Sequence, residues 1–342
     1  MNSIRLGIVG LGFGEQLVRT VANMREFDLV AVADHESDRA DRVGKKYKAK
    51  AYRDAVDMLE TEALDAVSVA VSPGSRRAAL EAACRKNLPM FVEKPWASDL
   101  EHAKDLYQLL QECSSTVMTG FSFRFHPVVQ QLRRLLDTEL GMPWLCNASY
   151  VFEWLPPSGH WLWDRKNGNG FFNENSCHLL DVICFLLGKP VAVMAHGGRF
   201  TQHPSEDGAS VSLRYEGGAI ASISLGGIGT AAFNEFPRLD LVCKNGQAQL
   251  QGRSHVWEEL HWALRGEPAK RTVSAPPEAL GATRYTHAFL HFADCIRSGT
   301  KPQATIEDGM LTVALSEAIY RSIREGVEVP IADFSALGAA EL

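Results

Sequence analysis

The stretch Ile4-Arg-Leu-Gly-Ile-Val-Gly10-Leu-Gly12-Phe-Gly14, followed by Leu29-Val-Ala-Val-Ala-Asp34, decides the fold of the first part of this chain. An apolar run enters clustered glycines, a helix-length segment follows, and a second apolar run ends in an acid. This order is typical of a βαβ unit that binds a dinucleotide. The glycines allow a tight turn and a close approach of the backbone to a pyrophosphate, beside the N–H groups at the start of the helix. We therefore predict cofactor contacts from Gly10, Gly12, Phe13 and Gly14.

The acid that ends the second apolar run indicates which cofactor binds. Asp34 lies 24 residues beyond Gly10, where an acid accepts the hydroxyls of the adenosine ribose and repels a 2′-phosphate. NAD is therefore the predicted cofactor, and NADP stays possible because basic residues such as Arg39 follow closely. Glu15 replaces the third glycine of the fingerprint, so we expect Gly14 to ease the packing of helix against strand.

Composition narrows the class of protein. The chain has 342 residues, 46% hydrophobic and 22% charged, which predicts a globular protein of two domains. A net charge of −6 without a long basic run argues against a nucleic-acid or anionic-membrane partner. No apolar stretch is long enough to cross a membrane, and a strand from Ile4 leaves no room for a signal peptide. Seven scattered cysteines predict neither a disulfide framework nor a zinc site, so we expect a cytoplasmic protein.

The hydrophobic pattern divides the chain near residue 121. Residues 1–121 alternate apolar runs with amphipathic segments, which predicts an α/β fold with a doubly wound parallel sheet. Residues 122–342 predict an α+β domain built on a mostly antiparallel sheet. The predicted strands are 4–9, 29–33, 66–71, 89–92 and 116–121, then 191–199, 209–215, 219–225, 238–243 and 247–251. The predicted helices are 15–24, 76–86 and 99–112, then 126–139, 174–187 and 308–325; residues 253–282 are the least clear part.

Three further motifs carry a resemblance over nearly the whole chain. Phe91-Val-Glu93-Lys94-Pro95 follows a predicted strand, Gly168-Asn-Gly-Phe-Phe-Asn-Glu174-Asn-Ser-Cys-His178-Leu-Leu-Asp181 comes later, and Asp308-Gly309 begins the final helix. With the glycine turn, these resemble the Gfo/Idh/MocA family of NAD(P)-dependent oxidoreductases. The resemblance implies a small sugar or polyol substrate. It also implies a Rossmann domain over residues 1–121, followed by a domain with a large open antiparallel sheet. A homodimer or homotetramer is expected to form through that sheet.

Hydride transfer from a carbinol carbon requires a group that accepts the hydroxyl proton and donors that hold the oxygen. Lys94, at the end of a parallel strand, is a candidate donor to that oxygen. His178 is the candidate base, because an unperturbed imidazole has a pKa of about 6.5. Glu174, His178 and Asp181 are spaced i, i+4 and i+7, so a single helix would align them on one face. By resemblance the family has an aspartate at the position of Glu174, which completes a catalytic trio with Lys94 and His178; Asp181 either binds a substrate hydroxyl or supports the histidine.

Other candidates come from the loops. Ser72-Pro73-Gly74 follows the third predicted strand, where the family usually has Pro-Asn and this chain has Pro73 and Gly74. Ser72 and Pro73, with Glu93 and Lys94, are predicted to contact the cofactor. Arg124 matches a recurrent family arginine near the nicotinamide end of the cleft and is a candidate to bind the substrate, with a plain surface position as the alternative. Trp161 and Trp163 are candidates for stacking on a sugar, with a place in the core as the alternative. The histidines show no metal-ligand spacing, so no metal is predicted.

These observations predict an NAD(P)-dependent oxidoreductase that acts on a CH–OH group of a sugar, cyclitol or sugar derivative. Two alternatives stay open. One is a non-catalytic NAD(P)-binding regulator, against which Lys94 and His178 argue because a sensor needs no proton-transfer pair. The other is an enzyme that oxidises a sugar, eliminates at the neighbouring position and reduces it again, so that no net NADH forms.

Overall fold

The computed structural model describes residues 3–154, 156–279 and 284–331. The chain forms two compact units, one from Met1–Ser122 and Gly281–Met310 and the other from Phe123–Leu280 and Leu311–Leu342. The contiguous domains predicted from the sequence, 1–121 and 122–342, differ from this division. The helix Thr286–Ser298 packs in the first unit, where Phe289 stacks on Phe91 of a central strand. The chain thus returns to the first unit after passing through the second, and the sequence pattern gives no sign of this return.

Asp54 and Asp99 cap two of the described helices, because each carboxylate accepts hydrogen bonds from the first N–H groups of the helix that follows it. Their bounds are α1 Gly14–Val21, α2 Ser37–Tyr47, α3 Ala55–Thr61, α4 Arg77–Arg85, α5 Leu100–Gln111, α6 Pro127–Leu135, α7 Gly170–Glu174, α8 Cys177–Leu187, α9 Thr286–Ser298 and α10 Ile306–Glu325. The sequence pattern did not predict α2, α3, α7 or α9. In α2 the buried residues are only Ala40, Val43 and Gly44, so its apolar stripe is narrow.

The predicted helix 174–187 is wrong at its start. Glu174 is the last residue of α7, and α8 begins at Cys177. Asn175 and Ser176 lie between the two helices, and Asn175 N–H donates to the Phe171 carbonyl at 2.9 Å. Consequently Glu174 does not share one continuous helical face with His178 and Asp181, as the spacing had suggested.

The first unit contains a six-stranded sheet in the order β3-β2-β1-β4-β5-β6, and each pairing is parallel. The strands are β1 Ile4–Val9, β2 Phe27–Ala33, β3 Lys50–Tyr52, β4 Ala66–Val69, β5 Met90–Val92 and β6 Val117–Thr119. Only β3 escaped the sequence analysis, since it is short and half-exposed. This order confirms the predicted Rossmann fold. Its direction of winding reverses between β1 and β4, where doubly wound sheets bind ligands at the carboxyl ends of the strands.

The second unit contains a nine-stranded sheet in the order β14-β13-β12-β11-β7-β10-β9-β8-β15. Only the β10–β7 pair is parallel among the described pairings, so the predicted, mostly antiparallel sheet is confirmed. The strands are β7 Pro143–Val151, β8 Ala192–Gly198, β9 Gly208–Arg214, β10 Ile220–Gly226, β11 Arg238–Cys243, β12 Gly246–Arg253, β13 Val256–Leu264, β14 Arg271–Ser274 and β15 Val329–Pro330. Alternate side chains of β9 and β10 are buried, so one face of the sheet is packed and the other is open.

One disulfide joins Cys84 of α4 to Cys113, which follows α5. Spacing along the chain did not reveal it. The two helices lie side by side and bring the Cα atoms to 5.4 Å, within the range that a disulfide spans. Cys146, Cys177, Cys184, Cys243 and Cys295 are buried and carry no disulfide. No helix in the described ranges is long and apolar enough to cross a membrane.

Candidate functional site

The glycine turn after β1 is built as the sequence predicts. Gly10 has φ +84°, and a Cβ there would lie 2.6 Å from Val71 Cγ1 and 2.7 Å from the Ala70 carbonyl oxygen. A side chain is therefore excluded by both conformation and space. A Cβ on Gly14 would lie 3.2 Å from the Ala70 methyl, which explains how α1 packs closely on the sheet. On Gly12 it would meet only Arg39 Nη1, at 3.9 Å, so the space beside this glycine is open.

Asp34 ties the end of β2 to the glycine turn. Its carboxylate accepts hydrogen bonds from Leu11 N–H at 2.7 Å and from Glu36 N–H at 2.9 Å. Arg39 Nη1 lies 3.2 Å from each carboxylate oxygen. Burial raises the pKa of Asp34, but the hydrogen bonds from Glu36, Leu11 and Arg39 outweigh it and hold that pKa below its ordinary value. The acid is therefore an anion at neutral pH, fixed beside the turn.

Glu15, which replaces the third glycine, points toward α2. Its carboxylate accepts from Arg42 at 3.1 and 2.8 Å and from Lys46 at 3.4 Å. These hydrogen bonds lower the pKa of Glu15 below its ordinary value. An open cavity of about 300 Å³ lies here, lined by Gly12, Phe13, Glu15, Gln16, Arg19, Lys46 and Tyr47. Phe13 is 41% exposed and touches Tyr285 edge to face.

The loops after β4 and β5 lie side by side, because these strands are neighbours in the sheet. Ser72 precedes a single 3₁₀ turn, Pro73–Ser75, and Pro73 is buried. Lys94 comes two residues after β5 and is half-buried. The predicted cofactor residues of both loops therefore lie at the carboxyl edge of the sheet, in line with the glycine turn after β1.

Glu93 is a buried acid directly behind Lys94. Burial raises its pKa to about 7, and the nearby charges of Lys94, Arg284 and Arg76 oppose that rise only in part. Lys94 N–H donates to Glu93 Oε2 at 3.2 Å. Glu93 is 3% exposed, so its carboxyl group meets these charges inside the first unit and not in solvent.

Arg76 is a residue that the sequence analysis did not single out. Its side chain is fully buried, and its guanidinium donates to the carbonyls of Val71, Pro95 and Trp96. The neighbouring Arg77 is exposed and pairs with Glu81 and Asp105. No periodicity distinguishes two adjacent arginines, so only the fold reveals which of them is internal.

In the second unit, His178 is the second residue of α8 and is 3% exposed. Its imidazole stacks on Phe123, with 4.7 Å between ring centroids and 22° between planes. Glu174, at the end of α7, is also buried, at 8% exposure. The stacked ring has a defined plane, which restricts the directions in which its nitrogens point.

Asp181 and Arg124 pair with each other. Arg124 Nε donates to Asp181 Oδ2 at 3.0 Å, and Nη2 donates to the other carboxylate oxygen. Both side chains are almost fully buried, at 2% and 1% exposure. The surface position considered for Arg124 is therefore wrong. The Asp181 carboxylate, which the sequence suggested for the substrate or for His178, is the counter-ion of this arginine. Arg124 also lies over the ring of Phe185.

The two candidate tryptophans differ in environment. Trp163 is 7% exposed and donates its indole N–H to the Pro156 carbonyl at 3.2 Å. Trp161 is half-buried, beside the imidazole of His160. A cavity of about 400 Å³ in this unit is lined by Trp163, Arg165, Asn169, Gly170, Pro204, Ser205, Glu206, Glu317, Tyr320, Arg321 and Arg324. Among residues 3–154, 156–279 and 284–331, no group of three His, Cys, Asp or Glu side chains is placed to hold a metal ion.

Two family models match the chain. One, described as an oxidoreductase family with an NAD-binding Rossmann fold, matches residues 4–121. The other, a GFO/IDH/MocA C-terminal domain, matches residues 129–249. Together they cover most of the sequence, and the first coincides with the six-stranded parallel sheet.

Relatives extend the likeness to the full length. The chain is 27% identical to a D-apiose dehydrogenase of Paraburkholderia graminis, over 90% of this chain and 84% of that protein. It is 23% identical to a scyllo-inositol 2-dehydrogenase (NAD(+)) of Bacillus subtilis, over 96% and 97%. A levoglucosan dehydrogenase solved with NADH and levoglucosan superposes with a TM-score of 0.86 at 17% identity, over 97% of this chain and 100% of that one, and so shares the fold. The chain belongs to the Gfo/Idh/MocA family of oxidoreductases, and its first part is the NAD-binding Rossmann domain of that family.

Proposed function

We propose that this protein transfers a hydride between a nicotinamide cofactor and a carbinol or carbonyl carbon of a sugar, cyclitol or sugar derivative. The observation that carries the proposal is the position of Lys94, which follows β5 at the same edge of the parallel sheet as the glycine turn after β1. Ligands bind at this edge in doubly wound sheets. The relatives named as apiose and inositol dehydrogenases support the substrate class.

Each catalytic residue has a distinct role in this proposal. When bound, NAD accepts or donates the hydride. The ammonium of Lys94 donates a hydrogen bond to the reacting oxygen and stabilises the charge that develops there. His178 accepts the hydroxyl proton in oxidation and returns it in reduction. The Glu174 carboxylate orients the imidazole or contacts the substrate, while Trp161 and Trp163 are proposed to face the sugar.

The first experiment is an activity screen with purified protein. NAD and NADP are each tested against aldoses, cyclitols, anhydrosugars and sugar acids, with reduced cofactor followed by absorbance and products identified in parallel. Net NADH with one substrate class supports the dehydrogenase. Altered product without net NADH favours the enzyme that uses NAD transiently. Tight cofactor binding without any product favours the regulator.

Substitutions at Lys94 and His178 test the mechanism once a substrate is known. Lys94→Met is expected to lower kcat/KM by at least about 100-fold and to leave NAD affinity nearly unchanged. Lys270→Met, at an exposed lysine of the second unit, is the matched control. Near-normal turnover in Lys94→Met removes this lysine from the mechanism.

His178→Ala is expected to abolish the ionisation near neutral pH in the profile of kcat/KM, because the base is gone. An unchanged pH profile argues against this role. Glu174→Asp is expected to keep more activity than Glu174→Gln, since it retains the carboxylate. Equal losses in the two variants show that the charge at this position is not used.

We propose that NAD binds more tightly than NADP, because the Asp34 carboxylate repels a 2′-phosphate. Asp34→Ser leaves Arg39 without this acid and is expected to improve NADP affinity relative to NAD. Arg39→Gln is the comparison, in which the acid remains and the preference for NAD increases. Titration calorimetry with both cofactors measures the ratio, and tighter binding of NADP to the native protein contradicts the proposal.

We also propose that the open face of the nine-stranded sheet joins two copies of the chain, as a homodimer or as part of a homotetramer. Its central rows carry short polar side chains, for example Ser222 between Asn147 and Ser212. The exposed Leu145 and Ile220 lie opposite each other at one end of these strands. Short side chains let a second sheet approach closely, and the exposed apolar pair gains from burial.

The oligomeric state tests this surface directly. Ile220→Lys is expected to shift the mass in light scattering toward the monomer, whereas Val327→Lys, at an exposed apolar residue outside the sheet, leaves it unchanged. A native protein that is monomeric at micromolar concentration contradicts the proposal.

We place the protein in the cytoplasm because NAD(H) is an intracellular cofactor; cell fractionation tests that location.

A further inference from the structure

Arg76 is a buried cation whose guanidinium donates hydrogen bonds to backbone carbonyls. Nη1 donates to the Pro95 carbonyl at 2.7 Å and to the Trp96 carbonyl at 2.9 Å, and Nη2 donates to the Val71 carbonyl at 2.8 Å. The side chain is 0% exposed. Burying a charge is unfavourable unless polar groups surround it, so this placement reflects a specific arrangement of the backbone.

The three carbonyls belong to two loops. Val71 lies between β4 and Ser72, while Pro95 and Trp96 directly follow Lys94. One guanidinium therefore connects the loop proposed to contact the cofactor with the segment that carries the proposed catalytic lysine. A planar group with donors in fixed directions suits this bridge, whereas an ammonium on a flexible stem cannot hold both loops in the same way.

The charge of Arg76 also acts on Glu93, the residue that precedes Lys94. Burial lowers the pKa of Arg76 to about 9, and the nearby Glu93 opposes that shift, so the guanidinium is charged at neutral pH. In return, Arg76 is one of three cations that hold down the raised pKa of Glu93. Geometry and charge thus both link Arg76 to the residue that precedes Lys94.

We propose that Arg76 is a positioning residue for hydride transfer, which holds the Lys94 segment against the Ser72–Pro73 loop. This inference rests on the catalytic role of Lys94 proposed above. Arg76 lies behind both loops and acts through them. Its removal lets the lysine drift from the reacting oxygen, and a displacement of about 1 Å lowers rates by as much as about 100-fold.

The test compares Arg76→Lys and Arg76→Ala with Arg77→Gln. Arg77 is adjacent in sequence, but it is exposed and bound to Glu81 and Asp105. For each variant, kcat, the substrate KM, the NAD dissociation constant and the unfolding midpoint are measured, and kcat is expressed per folded subunit. Arg76→Lys keeps the positive charge on a slightly shorter side chain, so it serves if the alanine variant does not fold.

We expect kcat to fall about 10- to 100-fold in Arg76→Lys, with NAD affinity within about threefold of the native value and Arg77→Gln unaffected. In Arg76→Ala, added guanidinium is expected to restore part of kcat by refilling the space between the carbonyls. A native kcat per folded subunit in Arg76→Lys overturns the inference, as does an equal loss in Arg77→Gln. Lys94→Met separates the two proposals: if it retains activity, the lysine mechanism fails, and if it is inactive while Arg76→Lys is native, only the positioning role fails.

Discussion

Replacing Glu93 by glutamine is expected to stabilise the protein at alkaline pH. Burial raises the pKa of this carboxyl from 4.5 to about 7. Below pH 4.5 the folded and unfolded states both keep the proton. Between pH 4.5 and 7 the unfolded state loses it first, so the free energy of unfolding falls as the pH rises. At about 1.4 kcal/mol per pH unit, the loss above pH 7 reaches about 3 kcal/mol, and glutamine, which has no proton to lose, avoids it.

Urea denaturation of the cofactor-free protein at several pH values between 4 and 8 measures this effect. The difference between Glu93→Gln and native protein isolates Glu93, because the other titrating groups are common to both. This difference should grow by about 3 kcal/mol from pH 4 to pH 8. Glu101→Gln, at an exposed glutamate of α5, is the control and should follow the native curve. Parallel curves for Glu93→Gln and native protein refute the reasoning, because they show that the folded state ionises Glu93 without penalty.

Three other expectations follow from single contacts. Arg124→Leu and Asp181→Leu should each lower the free energy of unfolding by about 3–5 kcal/mol, since each removes one partner of a buried ion pair, and the double variant should lose far less than their sum; additive losses in a double-mutant cycle exclude the coupling. Gly10→Ala should destabilise the protein by about 2 kcal/mol or more, whereas Gly12→Ala should leave unfolding nearly unchanged and weaken NAD binding in calorimetry; native NAD affinity in Gly12→Ala shows that no phosphate approaches this turn. Cys84→Ser should lower the unfolding midpoint in non-reducing buffer by an amount equivalent to about 3 kcal/mol and should have no effect under reduction, because the bond closes a loop of 29 residues; equal shifts in both buffers point to packing instead.

Sequence reasoning succeeded where the signal is local. The strand Ile4–Val9 and the strand Arg238–Cys243 have the bounds that their apolar patterns predict. The turn at Gly10 was predictable because only glycine tolerates that backbone conformation. Sequence reasoning failed at α2, because most of its residues are polar and its apolar stripe is narrow. It also failed at α9, whose return to the first unit depends on contacts with residues about 200 positions earlier, such as Phe91.

The sequence by itself determined the class of this protein, because a dinucleotide fold depends on a contiguous series of strand, glycine turn, helix and acid from Ile4 to Asp34. It also supplied Lys94 and His178 as candidates, since their chemical types and motifs are readable along the chain. Only the tertiary structure decided which charges meet: that Asp181 pairs with Arg124, that Arg39 pairs with Asp34, and that Arg76 rather than Arg77 is buried. The physical reason is that burial and ion pairing depend on distances between segments remote in sequence. Local propensity and residue spacing do not specify those distances.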